Sequence, residues 1–361
     1  MRVALVCPYD LGRFGGVQDQ VGKLAGWLRD DGHQPVVVGP GVGNDPGVRL
    51  VGRSRVVPVN RSAAPVALAP RVWRMVAEAI ADADVVHVHE PLVPAVSLAA
   101  MATASAPVVA TLHADASTLM RRSIRVGRPA VRRVLSRAAV VTAVSPVAAS
   151  VVSGITEVRL VPNGIDLAIW GKRPKRPGSV VFVGRDDARK GLDVLLGAWP
   201  AVRRRVPRAS LDIVGVERLG VAVPGARSHG RVDDDTKRRL LASSEVMVAP
   251  NTVGESFGVI LVEGMAAGCA LVASALPGFV HVAGSAARWV APGDVDALGW
   301  AVAGLLDDHA ARRVLVAAGT ERVARFDRAP VLAGYLAAYH DALGVNAVRR
   351  APTARRRRLT G

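Results

Sequence analysis

Residues 254–268 read GESFGVILVEGMAAG, and they follow the apolar run VMVAP at 246–250. The run at 246–250 is typical of a buried strand. The apolar positions from Val259 onward recur with helical spacing as far as Gly268, a residue type that often ends helices. A strand followed at once by a helix is the repeating unit of an α/β fold. Glu255 is therefore predicted to lie in a strand-to-helix loop.

The two carboxylates of this stretch, Glu255 and Glu263, are eight residues apart. At the helical rise this spacing separates them by about 12 Å. Retaining glycoside hydrolases hold their two carboxylates about 5 Å apart, so this pair does not flank one scissile bond. The amides of Ser256, Phe257 and Gly258, at the helix start, suit an anion such as phosphate. The alternative is a helix-capping Glu255 and a solvated Glu263.

The composition indicates a globular α/β protein with more than one domain. The chain has 361 residues, of which 50% are hydrophobic, and it is too long for one ordinary core. Its net charge of +17 suits an anionic substrate, an anionic membrane surface or nucleic acid. Cys7 and Cys269 form neither a disulfide framework nor a metal-binding pattern, which favours a reducing cytoplasm. The sequence enters a strand at Val3, and we expect no signal peptide.

Strand and helix patterns alternate along both halves of the chain. Strands are predicted at 2–7, 35–39, 84–89, 107–112, 139–144, 179–184, 210–215, 226–230, 245–249, 269–273 and 288–291. Helices are predicted near 16–31, 69–81, 128–137, 190–205, 234–243, 258–267, 295–307 and 330–343. This alternation predicts two Rossmann-like domains, whose parallel sheets face each other across a cleft.

The predicted domain boundaries follow from the same patterns. We expect an N-terminal domain at 1–165, a C-terminal domain at 166–330, a last helix at 331–345 that crosses back to the N-terminal domain, and a basic, disordered tail at 346–361. Two uncharged runs, 92–112 and 138–155, are long enough to span a membrane. Internal prolines and small polar residues divide both runs, so buried strands and helices are expected there instead.

A glycine-rich segment with Gly12, Gly15 and Gly16 follows the first predicted strand. Adjacent glycines at a helix start let the backbone come close to a phosphate or a sugar. The spacing differs from the dinucleotide motif G-x-G-x-x-G, and Gly39-Pro40 replaces the acidic residue that would hold an NAD ribose. A hydride-transfer enzyme is therefore disfavoured, and a packing role for the glycines is the alternative.

A group of cations follows the predicted strand 179–184, namely Arg185, Arg189 and Lys190. Ligands of such sheets bind at the carboxyl ends of the strands. Arginine offers a forked pair of hydrogen bonds and lysine a point charge, which together suit a diphosphate. The alternative is a solvated loop in a very basic protein.

Three further motifs invite a chemical interpretation. His113 follows the predicted strand 107–112 and is the best candidate among the histidines for a site, with a structural histidine as the alternative. His87 and His89 alternate along one strand face and suggest zinc. No third ligand is fixed in the sequence, so hydrogen-bonded structure is the simpler explanation. The run Asp233-Asp234-Asp235 resembles a metal-binding D-x-D, but carboxylates at a helix start explain it more simply.

Taken together, these residues resemble the retaining glycosyltransferases of GT-B architecture. The matching pieces are Gly15-Gly16-Val17-Gln18, His113, Asn163-Gly164-Ile165-Asp166, Gly184-Arg185, Arg189-Lys190-Gly191, His229-Gly230-Arg231-Val232, and Glu255-Ser256-Phe257-Gly258 through Glu263. Within this class the chain is most similar to the actinobacterial phosphatidylinositol mannosyltransferases, which use GDP-mannose. That likeness rests on Val6-Cys7-Pro8-Tyr9, His87-Val88-His89-Glu90-Pro91 and Gly254-Glu255-Ser256-Phe257-Gly258.

The resemblance implies a role for each donor-site residue. The amide of Gly16 would approach the sugar phosphate, and Arg185 and Lys190 would neutralise the diphosphate together with the backbone of 256–259. Glu255 would hold the transferred sugar. These roles make Arg185, Lys190, Glu255 and His113 the implied catalytic set.

The remaining implied roles concern the nucleoside, the sugar and the acceptor. Glu263 would bind the ribose, Val232 would meet the base through its backbone, and His113 would touch the sugar and the reaction centre. On the acceptor side, the implied residues are Tyr9, Gln18 and Asn60.

The acceptor segment departs from the family pattern. Val59 stands where that family has an aromatic residue, and Pro65 stands where it has an arginine. The basic helix that contacts anionic lipid is reduced to Arg71 and Arg74, while the segment Arg121–Arg137 offers another basic surface toward the membrane.

The function implied by the resemblance is transfer of a hexose, mannose from GDP-mannose, onto a lipid-linked polyol such as phosphatidylinositol, with retention of configuration. We expect a cytoplasmic enzyme that binds peripherally to the anionic surface of the inner face of the cell membrane. No metal or other cofactor is required, because protein cations neutralise the diphosphate. The alternatives are a transferase of the same fold with another acceptor, a nucleic-acid-binding protein and an inactive scaffold. Few aromatic residues and no recognisable module argue against specific nucleic-acid binding.

Overall fold

The fold is given by a computed structural model that describes residues 1–13, 15–42, 45–53, 55–59, 62–66, 71–171 and 173–350. For 55–59, 62–66 and 345–350 the description covers the backbone. The predicted acceptor residue Asn60 and residues 351–361 of the predicted tail lie outside the described residues. None of the helices in the described part of the chain combines the length and the apolar character needed to cross a bilayer.

The first half of the chain forms a parallel sheet with helices on both faces. Its strands are β1 (Arg2–Val6), β2 (Gln34–Gly39), β3 (Val48–Leu50), β6 (Val85–His89), β7 (Val108–Leu112), β8 (Val140–Ala143) and β9 (Arg159–Leu160), and a separate hairpin pairs β4 (Arg55–Val59) with β5 (Ser62–Val66). Its helices are α1 (Gly16–Asp30), α2 (Val72–Ile80), α3 (Val96–Thr103), α4 (Thr118–Val126), α5 (Arg128–Leu135) and α6 (Pro146–Ala149). Within the described residues the strand order is β3-β2-β1-β6-β7-β8-β9.

The second half repeats this architecture. Its strands are β10 (Arg176–Val183), β11 (Ser210–Val214), β12 (Ala226–Ser228), β13 (Ser244–Ala249), β14 (Ala270–Ser274) and β15 (Ala287–Val290), and they pair in the order β12-β11-β10-β13-β14-β15. Its helices are α7 (Leu192–Arg205), α8 (Asp234–Ser243), α9 (Val259–Ala266), α10 (Pro277–Ala283), α11 (Val295–Asp307), α12 (His309–Val323) and α13 (Arg328–Arg350). The predicted fold of two Rossmann-like, parallel sheets is thus confirmed.

The burial of the central strands explains why the sequence pattern predicted them. Every residue of β6, β7 and β14 is buried, because helices cover both faces of a parallel sheet, and most of these residues are apolar. The short strands β3 and β9 and the β4–β5 hairpin were not predicted. Neither were the helices α4, α10 and α12.

The last helix, α13, returns to the first sheet. Tyr335 and Tyr339 are buried in one core with Val3 and Leu5 of β1. The helix is longer than the predicted 331–345, since it continues to Arg350.

One hydrophobic cluster joins the two halves of the chain. It contains Leu112 and Val144 from the end of the first sheet, and Val181, Phe257 and Phe279 from the second. The carboxyl end of β7 therefore lies against the loop that begins α9, and this contact brings the candidate site together.

Candidate active site

The loop between β13 and α9 is shaped by glycines. Gly258 caps α9 with a φ of +100°, and a Cβ added there would lie 2.5 Å from the ring of Phe279. Gly264 lies so close to Leu271 that a Cβ would be 2.8 Å from its methyl group. Only glycine fits such left-handed and crowded positions without strain. The helix ends before Gly268, as predicted.

Glu255 is held inside this loop by two donors. Its Oε1 accepts a hydrogen bond from Nδ2 of Asn251 at 2.7 Å and forms an ion pair with Nζ of Lys190. Glu255, which is predicted to hold the sugar, and Lys190, which is predicted to bind the diphosphate, are therefore in contact. Glu255 is not a helix cap, because the capping position belongs to Gly258 and no side chain caps α9.

Glu263 lies on α9 and is buried. Nζ of Lys237, on α8, lies 2.9 Å from its Oε1. Burial lowers the pKa of Lys237, but the carboxylate of Glu263 outweighs this, and the pKa of Lys237 is raised. The alternative of a solvated Glu263 is excluded, and its carboxylate is oriented by a cation.

The cation loop after β10 is packed against the β13–α9 loop. Gly191 has a φ of +69°, and a Cβ there would collide with the carbonyl oxygen of Pro250. Arg189 forms a two-pronged ion pair with Asp187, which lowers the pKa of that carboxyl to about 2. Arg185 is exposed and has no ion-pair partner among the residues the structure describes. Arg185 is therefore the cation of this loop best placed to accept a diphosphate.

Two hydrogen bonds cross from the first domain to the β13–α9 loop. Oγ of Ser256 donates to the carbonyl oxygen of His113 at 2.5 Å. Oγ of Ser145 donates to the carbonyl oxygen of Ser256, also at 2.5 Å. The backbone of His113 is thus in contact with the loop that carries Glu255, although the two come from different sheets.

His113 is held by the element beside it. Oε1 of Glu90 accepts hydrogen bonds from the amides of His113 at 2.8 Å and Ala114 at 2.7 Å, and Glu90 has a φ of +51°. Nε2 of His113 lies 2.8 Å from Nδ1 of His89. Burial lowers the pKa of His113 to about 4, against a side-chain hydrogen bond with Asn163. The imidazole is therefore neutral at physiological pH and one of its nitrogens is occupied.

His87 is a structural residue. Its Nδ1 lies 2.8 Å from the hydroxyl of Tyr339, and its Nε2 lies 2.6 Å from Oγ1 of Thr111. Both ring nitrogens are engaged, so His87 offers no lone pair to zinc. The residues that the structure describes include no group of three or more His, Cys, Asp or Glu arranged to hold a metal ion.

The predicted base end of the site lies at the start of α8. Asp233 caps this helix by accepting a hydrogen bond from the amide of Thr236 at 2.6 Å, which confirms that the acidic run serves a helix start. Val232 is half-buried directly before it. Oε1 of Glu217 accepts from the amide of Arg231 at 3.3 Å and so orders this turn.

The glycine loop after β1 leaves room for a ligand. Gly16 begins α1, and a Cβ there would meet no atom within 4 Å. Tyr9 is half-buried in the same loop, and Nε2 of Gln18 donates to the carbonyl oxygen of Asp10 at 3.2 Å.

Sequence reasoning missed Glu90, Lys237, Asn251 and Ser145. Glu90 and Asn251 each follow a strand closely, which is the signal that pointed to His113 and Glu255. Ser145 also follows a strand closely, shortly after β8 ends, whereas Lys237 carries no such signal because its partner is distant along the chain.

Both halves of the chain match known protein families. Residues 14–169 match the family described as Glycosyltransferase Family 4, and residues 177–308 match Glycosyl transferases group 1. The chain is 37% identical over 375 residues to a phosphatidyl-myo-inositol mannosyltransferase of Mycolicibacterium smegmatis, covering 95% of each chain. It is 36% identical to the protein of that name from Propionibacterium freudenreichii, covering 78% of this chain and 79% of the relative.

Solved structures agree on the fold. Sucrose-phosphate synthase from Thermosynechococcus elongatus superimposes with a TM-score of 0.74 at 20% identity, covering 95% of this chain and 99% of that one. The Anabaena Alr3699/HepE protein, in complex with UDP and glucose, superimposes with a TM-score of 0.72 at 16% identity, covering 93% and 98%. With the identity to the mannosyltransferases extending over nearly the whole chain, this protein belongs to their family of GT-B glycosyltransferases.

Proposed function

We propose that this glycosyltransferase moves mannose from GDP-mannose to phosphatidylinositol, with retention of the anomeric configuration. The observation that carries the proposal is the ion pair of Glu255 with Lys190 in a loop whose next residue, Ser256, bonds to the backbone of His113. The names of relatives at up to 37% identity support the sugar and the acceptor.

The donor diphosphate takes the place between the two loops of the second domain. Arg185 and the amides at the start of α9 bind its oxygens, and Lys190 turns from Glu255 toward it. Glu255 is then free to accept hydrogen bonds from the sugar hydroxyls. Glu263, oriented by Lys237, accepts hydrogen bonds from the ribose. Such fixed donors stabilise charge that develops on the leaving group.

The chemical step occurs on one face of the sugar. The acceptor oxygen attacks C1 as the bond from C1 to the diphosphate oxygen breaks, and the acceptor proton passes to the departing phosphate oxygen. The alternative of a covalent intermediate would need a free nucleophile at C1, whereas in this proposal Glu255 is hydrogen-bonded to Asn251 and to the sugar hydroxyls. His113 is a poor base, because burial lowers its pKa to about 4.

A donor and acceptor panel tests this proposal. The purified protein is incubated with GDP-mannose, GDP-glucose, UDP-glucose or ADP-glucose, with and without phosphatidylinositol, and products are identified by mass spectrometry. We expect mannosyl phosphatidylinositol from GDP-mannose alone, with an α-configured C1 by NMR. Transfer only from a UDP-sugar, or only to another acceptor, would contradict the proposal.

We further propose that the enzyme works on the inner face of the cell membrane, bound through the α4–α5 surface. This surface comprises the exposed residues Leu119, Arg122, Arg125, Val126 and Arg132. Leu119 is 75% exposed and Val126 is 86% exposed. The sequence has no acidic residue from 116 to 156. Exposed apolar side chains among arginines suit the headgroup region of an anionic bilayer.

Vesicle sedimentation tests the α4–α5 surface. Replacing Arg122 and Arg125 with glutamine should weaken binding to phosphatidylinositol vesicles by roughly thirtyfold, at about 1 kcal/mol for each arginine. The matched control replaces Arg204 and Arg208, exposed arginines of the second domain, and should leave binding unchanged. Equal losses in both variants, or tighter binding to DNA than to vesicles, would refute the assignment.

A further inference from the structure

His89 and His113 share a buried hydrogen bond, and the surroundings of the two rings differ. Nδ1 of His89 and Nε2 of His113 are 2.8 Å apart, and both residues are buried. Burial lowers the pKa of both imidazoles, so both are neutral. A neutral pair places one proton in this hydrogen bond, and one ring must donate while the other accepts.

The surroundings of His89 decide which ring donates. Its Nε2 is buried and has no hydrogen-bond partner among the described residues. A proton on Nε2 would create a buried N–H without an acceptor, which proteins avoid more strictly than an unused lone pair. The proton of His89 therefore belongs on Nδ1, from where it donates to Nε2 of His113.

This arrangement leaves the proton of His113 on its Nδ1. Oδ1 of Asn163 is buried and has no hydrogen-bond partner among the described residues. Because His89 occupies Nε2, Nδ1 is the ring nitrogen of His113 that remains to carry the proton. The unpartnered Nε2 of His89 is thus explained by this choice of tautomers.

The ring of His89 is itself held in place by the ring of His87. The ring of His87 lies 4.1 Å from it, centroid to centroid, and is anchored to Tyr339 on α13 and Thr111 on β7. The backbone of His113 is already held on both sides, by Glu90 at the amide and by Ser256 at the carbonyl. His89 is the group that holds its ring.

We propose that His89 is a positioning residue for glycosyl transfer, which fixes the tautomer and the orientation of His113. The effect on turnover rests on the proposed function, in which His113 contacts the donor sugar. A ring held in one orientation keeps the reacting groups in place, and small displacements of such groups are costly to the rate.

The tautomer is tested on the wild-type protein by two-bond ¹H–¹⁵N spectra of histidine-labelled enzyme. The His113 signal is assigned by its loss in His113→Gln. We expect the Nδ1–H tautomer for His113, and the Nε2–H tautomer would overturn the proposal. This readout does not depend on activity, so a failure to transfer mannose would refute the function and leave the proton arrangement standing.

Kinetics of His89 variants test the positioning role. His89→Leu removes the donor, and we expect kcat to fall on the order of tenfold or more, with donor KM changed less than about twofold. His89→Gln can donate through its amide and should recover part of kcat. An unchanged kcat in His89→Leu would overturn the role; if that variant does not fold, the wild-type spectrum still decides the tautomer.

His87→Gln is the matched control. His87 is equally buried and makes its hydrogen bonds to Tyr339 and Thr111, not to His113. We expect this variant to lose stability while the His113 spectrum stays that of the Nδ1–H tautomer. A change of tautomer in both variants would show that burial alone governs His113, and would overturn the proposal.

Discussion

Lys190 and Arg185 have different tasks although both carry one positive charge. Lys190 is paired with Glu255, so its charge is compensated until the donor arrives. Arg185 is exposed and, within the described part of the chain, has no ion-pair partner. The free side chain is available to a diphosphate without breaking an existing interaction, and its loss removes little from the folded state.

Arg185→Ala should lower kcat by about 10²–10³-fold, because one donor to a developing negative charge is lost. Its melting temperature should stay near that of the wild type, since exposed substitutions usually change stability by less than about 0.5 kcal/mol. The measurements are steady-state kinetics with GDP-mannose and a thermal unfolding curve. Near-normal turnover would rule out a diphosphate held by Arg185.

Arg189→Ala provides the contrast within the same loop. The side chain of Arg189 forms three hydrogen bonds with Asp187, and the carbonyl oxygen of Arg189 accepts from the amide of Thr252 at 2.9 Å. Loss of this side chain should loosen the loop and reduce stability more than Arg185→Ala does. If Arg189→Ala lost more turnover than Arg185→Ala, the assignment of the two arginines would have to be exchanged.

At the scale of elements, the starts of α9 and α1 depend on glycine for different reasons. Gly258 is required by the protein itself, with its φ of +100° and the ring of Phe279 beside it. Gly16 has open space around it, so packing within the protein does not require a glycine there, and we expect that a ligand does.

A pair of alanine substitutions should separate these two reasons. Gly258→Ala should destabilise the fold by about 1–3 kcal/mol, the usual cost of a non-glycine residue in strained backbone. Gly16→Ala should leave the melting temperature unchanged and raise the KM for the donor. Thermal unfolding and donor kinetics of both variants decide the matter. An unaffected KM in Gly16→Ala would remove this glycine from the donor site.

The elements that sequence patterns predicted are those whose burial is complete. β6 and β7 have mostly apolar sequences because both of their faces are covered. β9 spans two exposed residues, so no periodicity marks it. In α4, Ile124 is the one described residue that is buried, and an arginine-rich helix with so narrow an apolar face resembles a loop in sequence.

The contacts that complete the site could not be predicted in the same way. Ser256 and His113 are 143 residues apart in the chain, and no local pattern relates them. The same holds for Lys237 with Glu263, which lie on neighbouring helices. Sequence patterns indicated which strand ends carry chemistry, whereas the pairing of side chains depends on how the sheets pack.

At the scale of the whole molecule, the two domains are joined by Ser256 at the site itself. Ser256→Ala removes the hydrogen bond to His113 but keeps the contact in which the Ser256 carbonyl accepts from Ser145. We expect a larger mean separation of the domains by small-angle X-ray scattering and a lower kcat. Ser256→Thr keeps the hydroxyl and should resemble the wild type. Identical scattering from the alanine variant would show that other contacts determine closure.

The buried histidines make the stability of the whole molecule depend on pH. Burial lowers the pKa of His87 to about 3 and of His113 to about 4, from an ordinary value of 6.5. Since these pKa values are depressed in the folded state, the unfolded chain binds more protons as the pH falls below 6.5. The stabilisation present above pH 6.5 is therefore lost progressively toward pH 4, at up to about 1.4 kcal/mol per pH unit for each histidine.

Chemical unfolding between pH 7.5 and 4.5 should show this loss directly. In His87→Gln one of the titrating groups is absent, so the free energy of unfolding should fall less steeply with decreasing pH, by about one proton in slope. The variant should be less stable than the wild type at pH 7.5, because Tyr339 and Thr111 lose a partner, and the two curves should converge toward acid. Parallel curves would mean that His87 titrates alike in both states, and that its burial beside α13 does not tie the fold to neutral pH.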